Sequence, residues 1–200
     1  PEDNINEGNG VADIADMFAR GVFQEKDGIL SLEAEYALEN STNAYLTPDV
    51  SGAIYWSHVR AQTDGGTGLA MQVFGPPHTW DNPKEAPAMH FRVNISESGD
   101  YKTWLLTLHE DDMSDTCYFA VDGEVLPLSE QYREGRLFNY STAHIYFWCL
   151  TGSIRLEEGE HIFSIYAADT GMQIDRIYLS RGDELPPVDN EWKSSERAGE

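Results

Sequence analysis

Basic residues are scarce in this chain. Thirteen Lys and Arg stand against 35 Asp and Glu in 200 residues, a formal net charge of −22 with an isoelectric point near 4.4. Nucleic acid and anionic membrane surfaces would repel such a chain at long range, so neither is an expected partner. Long apolar runs are also missing: no stretch of 18 apolar residues could form a membrane-crossing helix. The first residues, Pro1-Glu2-Asp3-Asn4, offer neither an initiator Met nor a basic leader, and read as a mature or excised fragment. Only Cys117 and Cys149 carry thiols. A disulfide and two free buried thiols both fit, which leaves the redox compartment open.

The signatures of catalysis are absent as well. There is no Gly-x-Ser-x-Gly elbow, and neither Cys stands in a protease context. His109-Glu110-Asp111-Asp112 lacks the second His of a zinc-protease helix. Gly65-Gly66-Thr67-Gly68 lacks the Lys-Ser/Thr that would grip a phosphate, and reads as a tight loop entering a strand at Leu69. The six histidines (His58, His78, His90, His109, His144 and His161) show no metal-ligand spacing. With 35 acids, paired carboxylates of the glycosidase type arise by chance and carry no weight. The chain is read as a non-enzyme.

What is present is a core. Hydrophobic residues make up 40% and aromatics 12%, too much for a disordered chain, and the length suits one domain. Residues 1–24 read as linker or a short helix over Val11–Phe23. Residues 25–185 read as one β-sandwich, and residues 186–200 as a flexible tail in which Trp192 can dock.

Between the flanks the hydrophobic period is two. Met89, Phe91, Val93 and Ile95 alternate with His90, Arg92 and Asn94. Glu97-Ser98-Gly99-Asp100 supplies a turn from which Tyr101–Leu108 returns as a hairpin partner. Thr116–Val121 runs into the hairpin turn Asp122-Gly123. Ser153–Leu156 and His161–Ala167 form a further hairpin about Glu158-Gly159, Ile174–Leu179 is a last strand, and Gly28–Tyr36 an early one. Many short strands with glycine-marked turns predict an all-β jelly-roll sandwich of two antiparallel sheets. Two long irregular stretches, 75–86 and 124–142, are candidate binding loops or lids over the core.

One acidic group stands out. In the early strand, alternation places Ser31, Glu33 and Glu35 opposite Leu30, Leu32 and Ala34. Carboxylates two residues apart on a strand stand roughly 7 Å from one another, close enough to share a hard cation bound through oxygen. In the last strand, alternation sets Asp175 on the same face as Ile177 and Leu179. The alternative is a solvated edge with both glutamates free.

At this point the residues resemble a family. Ile29-Leu-Ser-Leu-Glu-Ala-Glu-Tyr36 is similar to the opening strand of carbohydrate-binding modules of families 6, 35 and 36, and of the related C-terminal domain of family 115 glycoside hydrolases. Ala88–Trp104 resembles their strand–turn–Tyr–strand segment. Leu156-Glu-Glu-Gly-Glu-His-Ile-Phe, followed by Gly171-Met-Gln-Ile-Asp-Arg-Ile-Tyr-Leu179, resembles their closing motifs.

The resemblance implies a jelly roll with structural Ca2+ on Glu33, Glu35 and Asp175, completed by backbone carbonyls of the 65–68 loop. It implies glycan binding by aromatic rings, amides and charged groups at one end of the sandwich. Gln173 stands where members often carry a ligand-binding Asn, and Trp148 matches a Trp of the family that can equally be core. The Trp that usually precedes it is absent. His144, Ile145 and Tyr146 stand there instead, and His144 joins the binding candidates. Trp80 and Tyr140, in the two long loops, are the replacement platforms, each also readable as a hydrophobic plug.

The expected function is a non-catalytic carbohydrate-binding module of an extracellular or cell-surface enzyme. It would hold a catalytic domain to a polysaccharide, and the residual negative charge favours a neutral one. The rival is an accessory sandwich that packs on a catalytic domain without sugar affinity.

Overall fold

The computed structural model describes residues 21–40, 42–43, 52–63, 66–126, 132–133, 136–138 and 142–198. The early strands are β1 (Val22–Gln24), β2 (Ile29–Glu33), β3 (Glu39–Asn40), β4 (Thr42–Asn43), β5 (Ile54–Arg60), β6 (Leu69–Phe74), β7 (Ala88–Ile95) and β8 (Gly99–Leu108). They are followed by β9 (Thr116–Val121), β10 (Glu124–Val125), β11 (Tyr132–Arg133), β12 (Arg136–Phe138), β13 (Phe147–Leu156), β14 (Gly159–Ala167), β15 (Gln173–Ser180) and β16 (Arg197–Ala198). The described residues contain no α-helix, only 3-10 turns at Ala34–Tyr36, Pro83–Glu85 and Asp189–Glu191. The all-β sandwich expected from periodicity is the fold observed. Most of the Val11–Phe23 helix expectation lies outside the described residues; its last two residues belong to β1.

Two sheets enclose the core. One runs β11-β12-β9-β14-β7-β1-β16, with β10 added on β9 and β3 on β7. The other runs β13-β8-β15-β6-β5-β4, with β2 added on β15. All the pairings are antiparallel except β1 on β7. Inward residues from both sheets form one cluster, in which Phe119 and Phe163 meet edge to face at 5.6 Å. Met89, Phe91, Val93 and Ile95 are fully buried there, as strict alternation requires.

Two of the expected hairpins are corners instead. β7 lies in the first sheet and β8 in the second, while β13 lies in the second and β14 in the first. The turns at Ser98 and Glu158 therefore carry the chain across the sandwich, and β8 pairs with β13 while β7 pairs with β14. A turn signal fixes chain reversal but not which sheet receives the returning strand, because both sheets offer an apolar inner face. The Asp122-Gly123 turn is a true hairpin: both residues take positive φ, and Val121 opposes Glu124.

The C-terminal segment is anchored, where sequence suggests a loose tail. Trp192 is buried against Trp104 and Tyr178 on the outer face of the second sheet. Ser195 donates its N–H to Ser31 O at 2.8 Å and accepts from Ser31 N through its hydroxyl at 3.0 Å. The chain then crosses to the first sheet, where β16 pairs with β1. Burial of an indole and a short strand pairing hold a segment whose composition is otherwise that of a loop.

Candidate functional site

Glu33, Glu35 and Asp175 converge. Each is about 1% exposed, and each offers a carboxylate oxygen within 4.8 Å of the others. They do not meet by strand alternation. β2 ends at Glu33, and Glu35 sits on the 3-10 turn that follows. The turn advances about 2.0 Å per residue rather than about 3.3 Å, so the two carboxylates come closer than a strand would bring them.

Asp175 likewise escapes the face expected for it. The pairing of β15 with β8 slips between Ile174 and Arg176, a β-bulge with Asp175 as the extra residue. Ile174 and Ile177 can both enter the core, while Asp175 and Arg176 reach the acidic group on the outer side.

Arg176 is fully buried. Its Nε stands 3.7 Å from Glu33 Oε2 and 3.6 Å from Asp175 Oδ2, and its guanidinium lies 5.0 Å over the Trp192 ring. Trp192 Nε1 donates to Glu33 Oε1 at 2.6 Å, and Thr63 Oγ1 donates to Asp175 Oδ2 at 2.9 Å. Thr67 donates its hydroxyl to Glu35 Oε1.

One guanidinium against three carboxylates leaves two negative charges uncompensated in a buried site. Burial and the neighbouring Asp175 push the Glu33 carboxyl up to about 7. Burial and the neighbouring Glu33 push Glu35 up to about 10. Glu33 Oε2 and Glu35 Oε2 are buried and accept no hydrogen bond, which is costly unless another partner is bound.

These features fit a divalent cation. Oxygens sharing one ion at about 2.3–2.6 Å lie at most roughly 5 Å apart, a span that the three carboxylates satisfy. Gly66 brings backbone directly onto the cluster at φ +62, where a Cβ would stand 2.5 Å from Glu33 Oε1. Residues 64–65 lie outside the described residues. Glu33, Gly66, Thr67 and Trp192 also line a cavity of about 610 Å³ along the C-terminal segment, giving the site a path to solvent.

A second concave site lies on the outer face of the second sheet. A cleft of about 130 Å³ is lined by Arg60, Gln62, Glu110, His144, Tyr146 and Gln173. The Tyr146 hydroxyl donates to Gln173 Oε1 at 2.9 Å. Burial, then the nearby Asp175, raises the Tyr146 phenol, so it remains a neutral hydrogen-bonding group. His144 is exposed at φ +64 and donates its backbone N–H to His109 O at 2.8 Å.

Of the five ligand-binding candidates from sequence, His144 and Gln173 therefore meet at one cleft. Trp80 is 2% exposed within the core, with the His78 ring at its edge 4.5 Å away, the plug alternative rather than an open platform. Trp148 is half-buried against the Trp104–Tyr178–Trp192 cluster. Tyr140 lies outside the described residues. Sequence did not single out Arg60, Gln62 or Glu110, because no local spacing joins them to His144 and Gln173 in distant segments. Arg176 was hidden by the bulge.

The fold is that of family 6 and family 35 carbohydrate-binding modules. The Podospora anserina GH26-CBM35 β-(1,4)-mannanase superposes with a TM-score of 0.53 at 15% identity, over 81% of this chain and 29% of that one. The C-terminal CBM6 of the marine laminarinase LamC from Zobellia galactanivorans superposes with a TM-score of 0.51 at 15% identity, over 76% of this chain and 98% of that module. This chain thus spans less than a third of the mannanase but nearly the whole of the isolated module. No protein-family model and no curated protein sequence matches it. No described helix is long and apolar enough to cross a membrane.

Proposed function

We propose that the chain is a non-catalytic carbohydrate-binding module that holds an appended glycan-degrading enzyme to an extracellular polysaccharide. The observation that carries the reading is the cleft in which Tyr146 and Gln173 are hydrogen-bonded beside His144 and Arg60, on a fold shared with sugar-binding modules. An amide, a phenol and a guanidinium suit the hydroxyl edge of a pyranose, while Tyr146 adds an apolar ring. The formal charge of −22 favours a neutral glycan over a polyuronate.

In this reading the acidic triad takes Ca2+. Glu33, Glu35 and Asp175 are oxygen donors of the kind this hard cation prefers. The ion would tie the turn after β2 to the bulge in β15, and it does no chemistry.

Affinity electrophoresis through gels containing β-mannan or laminarin, with CaCl2 present, tests the reading. Retardation by at least one glycan, lost in Gln173→Ala, is the expected result. Free migration across a broad panel of neutral polysaccharides overturns it and favours an accessory domain that packs on a catalytic partner. The exposed Leu185 and Val188 would then be the first residues to examine.

A further inference from the structure

We propose that the cleft at Tyr146 and Gln173 continues into a second subsite, so that the protein grips a neutral glycan along its chain, over two or more consecutive sugars. This rests on the sugar-binding reading above and extends it to a hollow about 330 Å³ in volume.

The hollow adjoins the cleft through both floor and wall. Gln72 of β6 and Gln173 of β15 are direct register partners, so their side chains share the outer face of the sheet at one strand spacing, about 4.8 Å. Gln173 lines the cleft and Gln72 lines the hollow. Glu110, from the loop between β8 and β9, lines both. The two concavities are thus neighbouring stations of one groove, with an amide in the floor of each.

The chemistry of the hollow suits a pyranose. Phe74 and Pro77 supply one apolar side, and Met113, 70% exposed, supplies another. Phe74 is backed by Tyr55, whose ring stacks on it at 6.2 Å and 27° and is itself 42% exposed. Glu110 and Asp111 bring acceptors for hydroxyl donors. Among the described residues no Lys or Arg lines this hollow, so a uronate would meet carboxylates there without a cation, whereas a neutral sugar carries no charge to be repelled.

The walls are also held in place. The hydroxyl of Ser114 accepts from Glu110 N and from Asp111 N, each at 3.0 Å. Gly171, at φ +95, lets the loop before β15 approach Ser114 so closely that a Cβ would stand 2.9 Å from Ser114 Cβ. Gly171 N donates to Val73 O at 2.9 Å, and Gln72 Nε2 donates to Gly171 O at 3.3 Å. A groove whose walls are fixed before the ligand arrives loses less entropy on binding.

Calorimetry with manno- and laminari-oligosaccharide ladders of one to six units, in CaCl2, tests the proposal. Affinity is expected to rise at least about tenfold between one unit and three, because the second subsite adds its own contacts. Phe74→Ala should flatten that rise, and Met113→Ala, at an exposed position, should reduce it several-fold with an unchanged melting temperature. Gln173→Ala should weaken every length. A wild-type affinity that is the same at all lengths overturns the second subsite while leaving the sugar-binding reading standing. A full length dependence retained in both folded variants, Phe74→Ala and Met113→Ala, does the same. No binding of any member of either ladder removes both.

Discussion

The indole of Trp192 donates a hydrogen bond to Glu33 Oε1 at 2.6 Å while its ring faces the Arg176 guanidinium at 5.0 Å. A residue near the C-terminus thereby touches both a carboxylate of the acidic triad and the cation that partly balances it. The contact sets both how firmly Glu33 is oriented and how well the C-terminal segment is held. Trp192→Phe keeps a ring but removes the N–H donor. It should weaken cation binding roughly tenfold to a hundredfold, in line with the loss of one charge-assisted hydrogen bond at about 1.5–3 kcal/mol. Calorimetric titration of the metal-free wild type and variant with TbCl3 reads this without relying on the indole as an antenna. Unchanged terbium affinity in the folded variant would remove the link.

The same cluster makes a pH prediction of unusual sign. Glu33 and Glu35 are carboxyls whose folded values are raised above the ordinary 4.5, to about 7 and about 10. Between the unfolded and folded values the native state holds more protons than the unfolded chain, so stability falls as pH rises through that window. Metal-free protein should therefore melt lower at pH 8 than at pH 5. Calcium replaces the protons, so the gain in melting temperature on adding it should grow with pH. At a hundredfold excess over Kd the gain is about 2.7 kcal/mol, or roughly 5–10 °C for a domain of this size. Differential scanning fluorimetry at several pH values, with and without CaCl2, checks both trends.

Trp80 and Tyr146 should separate stability from binding. Trp80 is packed in the core, and Trp80→Ala should cost about 3–5 kcal/mol of folding stability. Tyr146→Phe removes one half-buried hydroxyl bonded to Gln173 and should cost no more than roughly 0.5–1.5 kcal/mol, yet weaken sugar binding. Urea melts beside affinity electrophoresis test the pair; a large stability loss in Tyr146→Phe would make it a core residue too.

At the surface, His161 Nδ1 stands 2.7 Å from Asp122 Oδ2. Partial burial opposes the charge on each group, but the Ile162 N–H and the His161 ring still hold Asp122 low. The Asp122 carboxylate and the Glu157 carbonyl still hold His161 high. Asp122 contributes stability above its ordinary value of 3.8, lost as pH falls through the lowered folded value. His161 contributes below its ordinary 6.5, lost as pH rises through the raised one. The destabilisation caused by His161→Gln should therefore be largest between about pH 4 and 6.5 and shrink on either side, as urea melts over that range will show.

Much of the sandwich was legible because alternation is a local property. Met89 to Ile95 announces its buried face in seven residues, and Asp122-Gly123 announces its turn in two. The partnering of strands was not legible: β7 and β8 are joined by a short turn yet belong to opposite sheets, since an apolar inner face is equally available in either. The acidic triad could be named from sequence, but for a partly mistaken reason. Strict alternation would have put Asp175 in the core and left Glu35 a full strand step from Glu33. The cleft at Tyr146 and Gln173 was visible only as isolated candidates, because Arg60, Tyr146 and Gln173 come together through sheet order alone. Trp192 found its place through long-range aromatic packing, which a polar, proline-containing tail does not advertise.

The extra residue in β15 has a consequence for how this sheet could tolerate change. Up to Ile174 the strand is paired with β6, and beyond it with β2, so the irregularity falls where one neighbour hands over to the next. Deleting a single residue there would restore perfect alternation. It would also remove a carboxylate of the triad, while leaving Ile174 and Ile177 in the core. The irregularity is thus a hinge of identity rather than of motion, the point at which one strand stops being scaffold and lends a carboxylate to a buried acidic cluster.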